Sequence, residues 1–259
     1  MIVTKYDVLF DPICDSHEWI IKSNNLNDKI LTPDFVRVEI SPADNGNNGY
    51  NGDNGDSCDY SLPFSEWKYK VDQKVLPDWY NAKWAEEQCR AALPMWAKTR
   101  FVTEGDHTCE HGQILIVLSG SPTIKQSSGK ICVYGLSSPV INKLHGVVYT
   151  YGLSEPNIMQ SSGSIYTYGS SAPKIKQLGG YVYTCNSSVP VIEQLGGVIR
   201  ACDSSAPKIE QKDGEIYAYG LSIPQIKRSG GKSYKHGEYA PVVTEVYCFK
   251  KNCHSYWTE

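Results

Sequence analysis

Cys109-Glu110-His111 and Cys253-His254 carry the residue types that ligate zinc. A structural zinc site needs separated ligand pairs, and each of these clusters places its candidates side by side without a partner pair at a known spacing. The pattern predicts no metal site. Acidic residues align at Glu193 and Glu210, in a column otherwise holding Lys125, Asn142, Met159, Lys176 and Lys227. That mixture describes a solvated face rather than a row of catalytic carboxylates. GxSxG, HExxH and P-loop patterns are absent. The Asn/Gly/Asp tract between Ala43 and Tyr60 lacks the ordered acid spacing of a calcium loop and reads as a flexible low-complexity loop. The expectation is a non-enzyme with no catalytic residues, no metal and no cofactor.

The other residues with chemistry to offer are tyrosines. The chain has 18 Tyr against 5 Phe and 3 Met, so it places many amphipathic rings near a surface. Tyr149/Tyr151, Tyr166/Tyr168 and Tyr217/Tyr219 recur as pairs, with Tyr134, Tyr183 and Tyr234 beside them. An exposed rank of Tyr is what interfaces and stacking sites use. The simpler reading is a ladder that stabilises itself by cross-strand contact. Cys185 and Cys202 stand 17 positions apart in the same column and are expected to stack as free thiols.

These residues are spaced by a repeat. Proline recurs every 17 positions from Pro122 to Pro241, and glycine does so from Gly112 to Gly231. Isoleucine follows proline by two, from Ile124 to Ile226, with Val243 next. After each glycine the chain alternates. Val148, Ile165, Val182, Ile199 and Ile216 share one parity with Thr150, Thr167, Thr184, Ala201 and Ala218, and the tyrosines take the other. Period-two alternation of β-branched residues predicts strands. Gly135, Gly152, Gly169 and Gly220 share a column with Asn186 and Asp203, so that column is expected to need positive φ. Proline cannot donate to a ladder and should start a strand.

Two topologies satisfy this pattern. A hairpin meander would turn at Gly179-Gly180 and leave one apolar face uncovered. A parallel β-solenoid buries both apolar columns between two sheets, and it is the expected fold. Seven to eight coils spaced about 4.8 Å apart make a rod of roughly 35 Å. The inward parity of Thr150, Thr167 and Thr184 argues against an ice-binding threonine face. A 17-residue unit without threefold substructure argues against hexapeptide-type acyltransferases.

The expected organisation is mainly β. Residues 1–108 form a small α+β capping region with the flexible loop at 43–60, residues 109–243 form the solenoid, and residues 244–259 form a C-terminal cap. Polar Ser233 and Lys235 replace core positions where that cap begins, and Lys250 and Lys251 suit a guarded edge. Phe35-Val36-Arg37-Val38-Glu39-Ile40 reads as a strand. A helix is expected after Asn81, its N-cap, with Pro94 ending or kinking it. Trp79, Trp84 and Trp96 are expected to pack this helix onto the first coil.

Charge separates partner classes. The chain carries −3 overall. Residues 112–243 hold twelve Lys/Arg and seven Asp/Glu, a balance of +5 that leaves −8 elsewhere. A DNA-mimicking rod would be acidic, and +5 is weak support for nucleic-acid binding. Nine cysteines with no CxxC pair point to reduced thiols. No leader or span of 18 apolar residues is evident, which gives an expected cytoplasmic location and no membrane partner.

The segments FVRVEISP and EWKYKVDQKVLPDWYNAKWAEEQCRAAL, followed by short-coil repeats, resemble uncharacterised proteins of bacteriophages and related mobile elements. The resemblance implies a small product acting in the host cytoplasm, with no agreed activity. Three functions remain open at this point. The first is a non-enzymatic scaffold that binds a host protein, for example to inhibit a host process or defence system. The second is a self-assembling structural component, and the third is a carbohydrate-binding β-helix. The candidate face in each is Tyr134, Tyr149, Tyr151, Tyr166, Tyr168, Tyr183, Tyr217 and Tyr219.

Overall fold

Each repeat has two four-residue stretches without Gly or Pro, and each becomes a strand. In one coil Pro156 precedes Asn157–Gln160, and Gly163 precedes Ser164–Thr167. The computed structural model describes residues 1–27, 34–42, 59–237 and 241–245. Strands that follow glycine, from Ile114–Val117 to Lys232–Gly237, build an eight-stranded sheet, here the tyrosine sheet. Strands from Asp106–Cys109 to Val242–Glu245 build a nine-stranded, proline-led sheet. Neighbours within each pair in parallel across one repeat, as Ile158↔Ile175 and Tyr166↔Tyr183 do. A meander would pair sequential strands antiparallel, so the fold is the solenoid.

The inward columns of both sheets meet in one apolar cluster that runs the length of the rod from Val102 to Ile226. Beside it run polar columns with assigned partners. Thr150, Thr167 and Thr184 hydrogen-bond Ser171, Ser188 and Ser205 of the following coil at 3.0, 2.9 and 2.9 Å. Where the threonine position holds Ala201, Ser222 donates to the Ala201 carbonyl instead at 3.0 Å. Val133 occupies the same position opposite Ser154, whose hydroxyl is buried with no partner.

A glutamine column fills the corner between the sheets. Gln126, Gln160, Gln177, Gln194 and Gln211 are all buried. Gln177 Nε2 donates to Gly180 O at 3.0 Å in its own turn and to Val198 O at 3.2 Å in the next coil. The other four do the same. Both amide protons are thus committed to carbonyls of two successive coils, adding a second bond to a glycine oxygen that already accepts a backbone N–H, as Gly180 O does from Val198 at 2.9 Å. The Oε1 atoms of Gln126, Gln160, Gln177 and Gln194 lack a donor, while Gln211 Oε1 accepts from Arg228 Nε at 2.9 Å. Lys143 takes one position of this column.

The column Gly135, Gly152, Gly169, Asn186, Asp203 and Gly220 has φ between +54° and +66°, the left-handed turn expected of it. The second glycine column is stricter. A Cβ on Gly180, at φ +74°, would lie 2.4 Å from the Gly163 carbonyl oxygen of the coil before. Gly180→Ala therefore forces two coils apart as well as straining the backbone. It is expected to cost about 3 kcal/mol, read as a lower urea midpoint. A loss under about 1 kcal/mol would mean that the coils separate freely.

The N-terminal region is a separate antiparallel sheet in the order Val8–Leu9, Ile2–Thr4, Phe35–Ser41, Lys68–Val71. Helices His17–Ser23 and Ala82–Lys98 accompany it. Asn81 caps the second helix, accepting from Trp84 N–H at 3.0 Å. The helix does not end at Pro94 but continues through it to Lys98. Its last turn survives because Leu93, Trp96 and Ala97 are buried there, and Arg100 N–H bonds Ala97 O at 3.0 Å. Of the three tryptophans expected on the first coil, only Trp96 joins the cluster that contains Ile116, Cys132 and Tyr134. Trp79 and Trp84 pack instead against Val3, Val36 and Val38 of the N-terminal sheet.

After the helix the chain lies along the leading edge of the tyrosine sheet. Ile116 N–H donates to Arg100 O at 2.8 Å, and Val102 N–H to Ile116 O at 3.0 Å. An edge that would otherwise recruit another strand is thereby covered. At the other end Ser233 and Lys235 still pair in register with Ile216 and Ala218. Val242–Glu245 adds one more strand to the proline-led sheet. The loop expected at 43–60 lies outside the described residues except at Asp59 and Tyr60, and the cap expected at 244–259 does so after Glu245.

Candidate binding face

Strand parity and exact 17-residue register turn the outward residues of the tyrosine sheet into two files along the rod. One file runs Tyr149, Tyr166, Tyr183, Arg200, Tyr217, Tyr234. The other runs Tyr134, Tyr151, Tyr168, Cys185, Cys202, Tyr219, His236. Rings in a file stack nearly parallel, at 4.6 Å for Tyr166–Tyr183, 4.8 Å for Tyr134–Tyr151 and 5.4 Å for Tyr151–Tyr168. Tyr217–Tyr234 and Tyr219–His236 repeat this at 4.8 and 5.1 Å. Arg200 takes a ring's place. Its guanidinium lies 5.9 and 5.5 Å from the Tyr181 and Tyr183 ring centres, and it donates to the Tyr183 hydroxyl at 3.1 Å.

The eight candidate tyrosines are not uniformly exposed. Tyr134, Tyr149, Tyr151 and Tyr168 retain only 5–7% of their accessible surface. The N-terminal region lies over the first coils, and Tyr60, Trp67, Leu93 and Trp96 share one cluster with these rings. Tyr60 meets Tyr134 edge-on at 6.5 Å and Trp67 at 5.7 Å. Burial pushes the Tyr134 and Tyr168 hydroxyls far above the usual phenol range. Tyr166, Tyr183, Tyr217 and Tyr219 remain half-exposed. Tyr217 donates to Glu215 at 2.8 Å, which raises its pKa.

The uncovered half of the face also holds residues beyond the eight candidate tyrosines. Tyr181 is 45% exposed and leads its strand, and Arg200 and His236 continue the two files. Arg200 and His236 stand 17 positions after Tyr183 and Tyr219, and Tyr181 stands two before Tyr183 on the same strand face, so the repeat and its parity carry the signal.

Among the described residues the remaining chemical candidates do not converge on a site. Cys109 is sealed in the rod core, and burial raises its thiol to about 12. Its neighbour His111 points to solvent, and Cys253 and His254 lie outside the described residues. Among the described residues no three His, Cys, Asp or Glu side chains converge as a metal site. Glu193 sits between Lys212 at 2.6 Å and Lys176 at 3.3 Å, and these bonds hold its carboxyl below the usual range. That places the Glu193/Glu210 column in a surface ion network. A cleft of about 290 Å³ between the N-terminal sheet and the first coil is lined by Asp15, His17, Trp67 and Ile114. His17 Nε2 meets Val38 O at 3.1 Å and Nδ1 faces Asp72 at 3.6 Å, so both ring nitrogens are engaged. Burial is the main cause that lowers its pKa.

Compared with protein families, curated proteins and solved structures, the chain shows no match. Among the described residues no helix is long and apolar enough to cross a membrane.

Proposed function

We propose that the chain is a non-enzymatic protein-binding scaffold, and that its partner docks on the uncovered half of the tyrosine face. One observation carries this reading. The same two files already serve as an interface within the chain, where Tyr60 and Trp96 pack on their first half. The second half offers rings and a guanidinium of the types that dominate binding hot spots. The rod holds them rigidly, so little side-chain freedom is lost on association. The partner class is a host protein, and the setting a host cytoplasm, following the likeness to phage and mobile-element products.

The test compares wild type with Tyr181→Ser/Arg200→Ser/Tyr217→Ser in pull-downs from bacterial lysate, followed by titration of whatever is captured. Wild type should retain a stoichiometric protein, and the variant should bind it at least about 30-fold more weakly. Equal capture by the variant, or nothing above background, counts against the proposal.

A second reading uses the same surface. The files of two copies share one pitch, 4.6–5.4 Å where rings stack, so they are commensurate and could pack against each other. A concentration-dependent dimer in light scattering, abolished in the triple variant, would favour self-assembly.

A further inference from the structure

Between Tyr168 and Tyr219 one file of rings is interrupted by two short side chains, Cys185 and Cys202. They extend the register that pairs Thr184 with Ala201, and Cys202 N–H donates to Thr184 O at 2.7 Å. Both are free thiols, with exposures of 5% and 2%. They belong to the cluster that includes Tyr151 and Tyr168, with Tyr183 and Tyr219 packed against it. Interaction between the two thiols lowers Cys202 and raises Cys185. Arg200 favours the Cys202 thiolate and Asp203 opposes it.

The spacing of the file decides what these sulfurs can share. Stacked rings in the files lie 4.6–5.4 Å apart, close to the strand separation of about 4.8 Å. A disulfide wants Cβ atoms about 3.8 Å apart, which would pull two coils out of register. A zinc–thiolate bond is about 2.3 Å, and two metal–thiolate bonds of that order laid end to end come close to the strand separation of about 4.8 Å. We infer that Cys185 and Cys202 form a two-thiolate site that binds a soft monovalent cation of the copper(I) class linearly between adjacent coils. Thiolates select such ions over harder ones. Taking up one cation releases two thiol protons to solvent and leaves one net negative charge, which the neighbouring Arg200 offsets. Two sulfurs complete a linear site, so no third ligand is needed.

The full chain, reduced and held without oxygen, is titrated with copper(I) against a chromophoric copper(I) chelator. One tight equivalent is expected, with X-ray absorption showing two sulfur neighbours. Cys185→Ser and Cys202→Ser should each weaken that equivalent at least 100-fold, and Cys14→Ser should leave it unchanged. Circular dichroism verifies that the serine variants keep their β signal, and the sulfur count on the unsubstituted protein stands independently of them. Equal retention in both serine variants overturns the inference, as does a shell of three sulfurs. A mass two units lower, with Cys185 joined to Cys202 and no metal held, overturns it in favour of a disulfide.

Discussion

Replacing Lys143 with glutamine stabilises the rod and removes most of its pH dependence between pH 7 and 10. Lys143 sits in the glutamine column at 2% exposure, its ammonium reaching the Ser162 carbonyl. Desolvation lowers its pKa to about 7, and it is the cause acting there. Gln126, Gln160 and the interior faces of their turns offer no counter-charge. In the unfolded chain the same amine titrates near 10.4. Between those values the unfolded state holds a proton that the folded state has lost, so stability rises with pH across the window. Below pH 7 the full penalty applies, on the order of 4 kcal/mol. A glutamine at 143 meets the Gly146 and Ser164 carbonyls in the way its neighbours meet theirs. The expected gain is about 3 kcal/mol at pH 6, shrinking towards pH 10. Urea midpoints of both proteins at pH 6, 8 and 10 check this. Parallel pH profiles would show that the lysine escapes to water.

The second large effect is at Arg100, and it separates the two parts of the chain. Arg100 is fully buried. It donates to the Asp11 and Pro12 carbonyls at 2.9 and 2.5 Å, pairs with Asp15 at 2.9 Å and lies 5.4 Å from the Trp96 ring centre. Asp15 also accepts from Trp96 Nε1 at 2.9 Å. One guanidinium therefore ties residues 11–15 to the helix end that borders the first coil. Arg100→Met leaves those carbonyls and the carboxylate without their donor, an expected loss of about 3–5 kcal/mol. The loss falls on the N-terminal region. Tryptophan fluorescence should shift red and limited proteolysis should cut before residue 100, while the far-ultraviolet β signal persists. Simultaneous loss of both signals in one transition would mean that cap and rod fold as a single unit.

These two residues also mark what could be read from the sequence. The solenoid was legible because proline, glycine and isoleucine recur in lockstep, and parity then assigned Ile175 and Thr167 inward and Tyr166 outward. The left-handed column was legible from Asn186 and Asp203 replacing glycine. The glutamine and serine columns recur at the same interval, but their burial is not legible, because polar residues beside a turn look solvated until the turn is seen to be a corner. With them went the meaning of Lys143. The covering of Tyr134 and Tyr151 was not legible at all. It depends on Tyr60, Trp67 and Trp96, whose sequence positions carry no periodicity and whose contacts exist only once two regions meet. For the same reason the sequence does not reveal that Trp79 and Trp84 face the N-terminal sheet rather than the first coil.

The close glycine file has a consequence for how such a chain changes length. Every column returns after 17 residues, and Gly163, Gly180 and Gly197 bring successive turns together backbone to backbone. Excising residues 174–190 would join Pro173 to Val191, the same junction that Pro190 makes now. All files would close up in register, with neither the first coil nor the last disturbed. Removing 16 or 18 residues would instead exchange inside for outside along everything downstream. Length in this architecture is therefore quantised. Duplication or loss of whole turns tunes reach along the axis in steps of about 4.8 Å, while the N-terminal cover and the residues beneath it stay as they are.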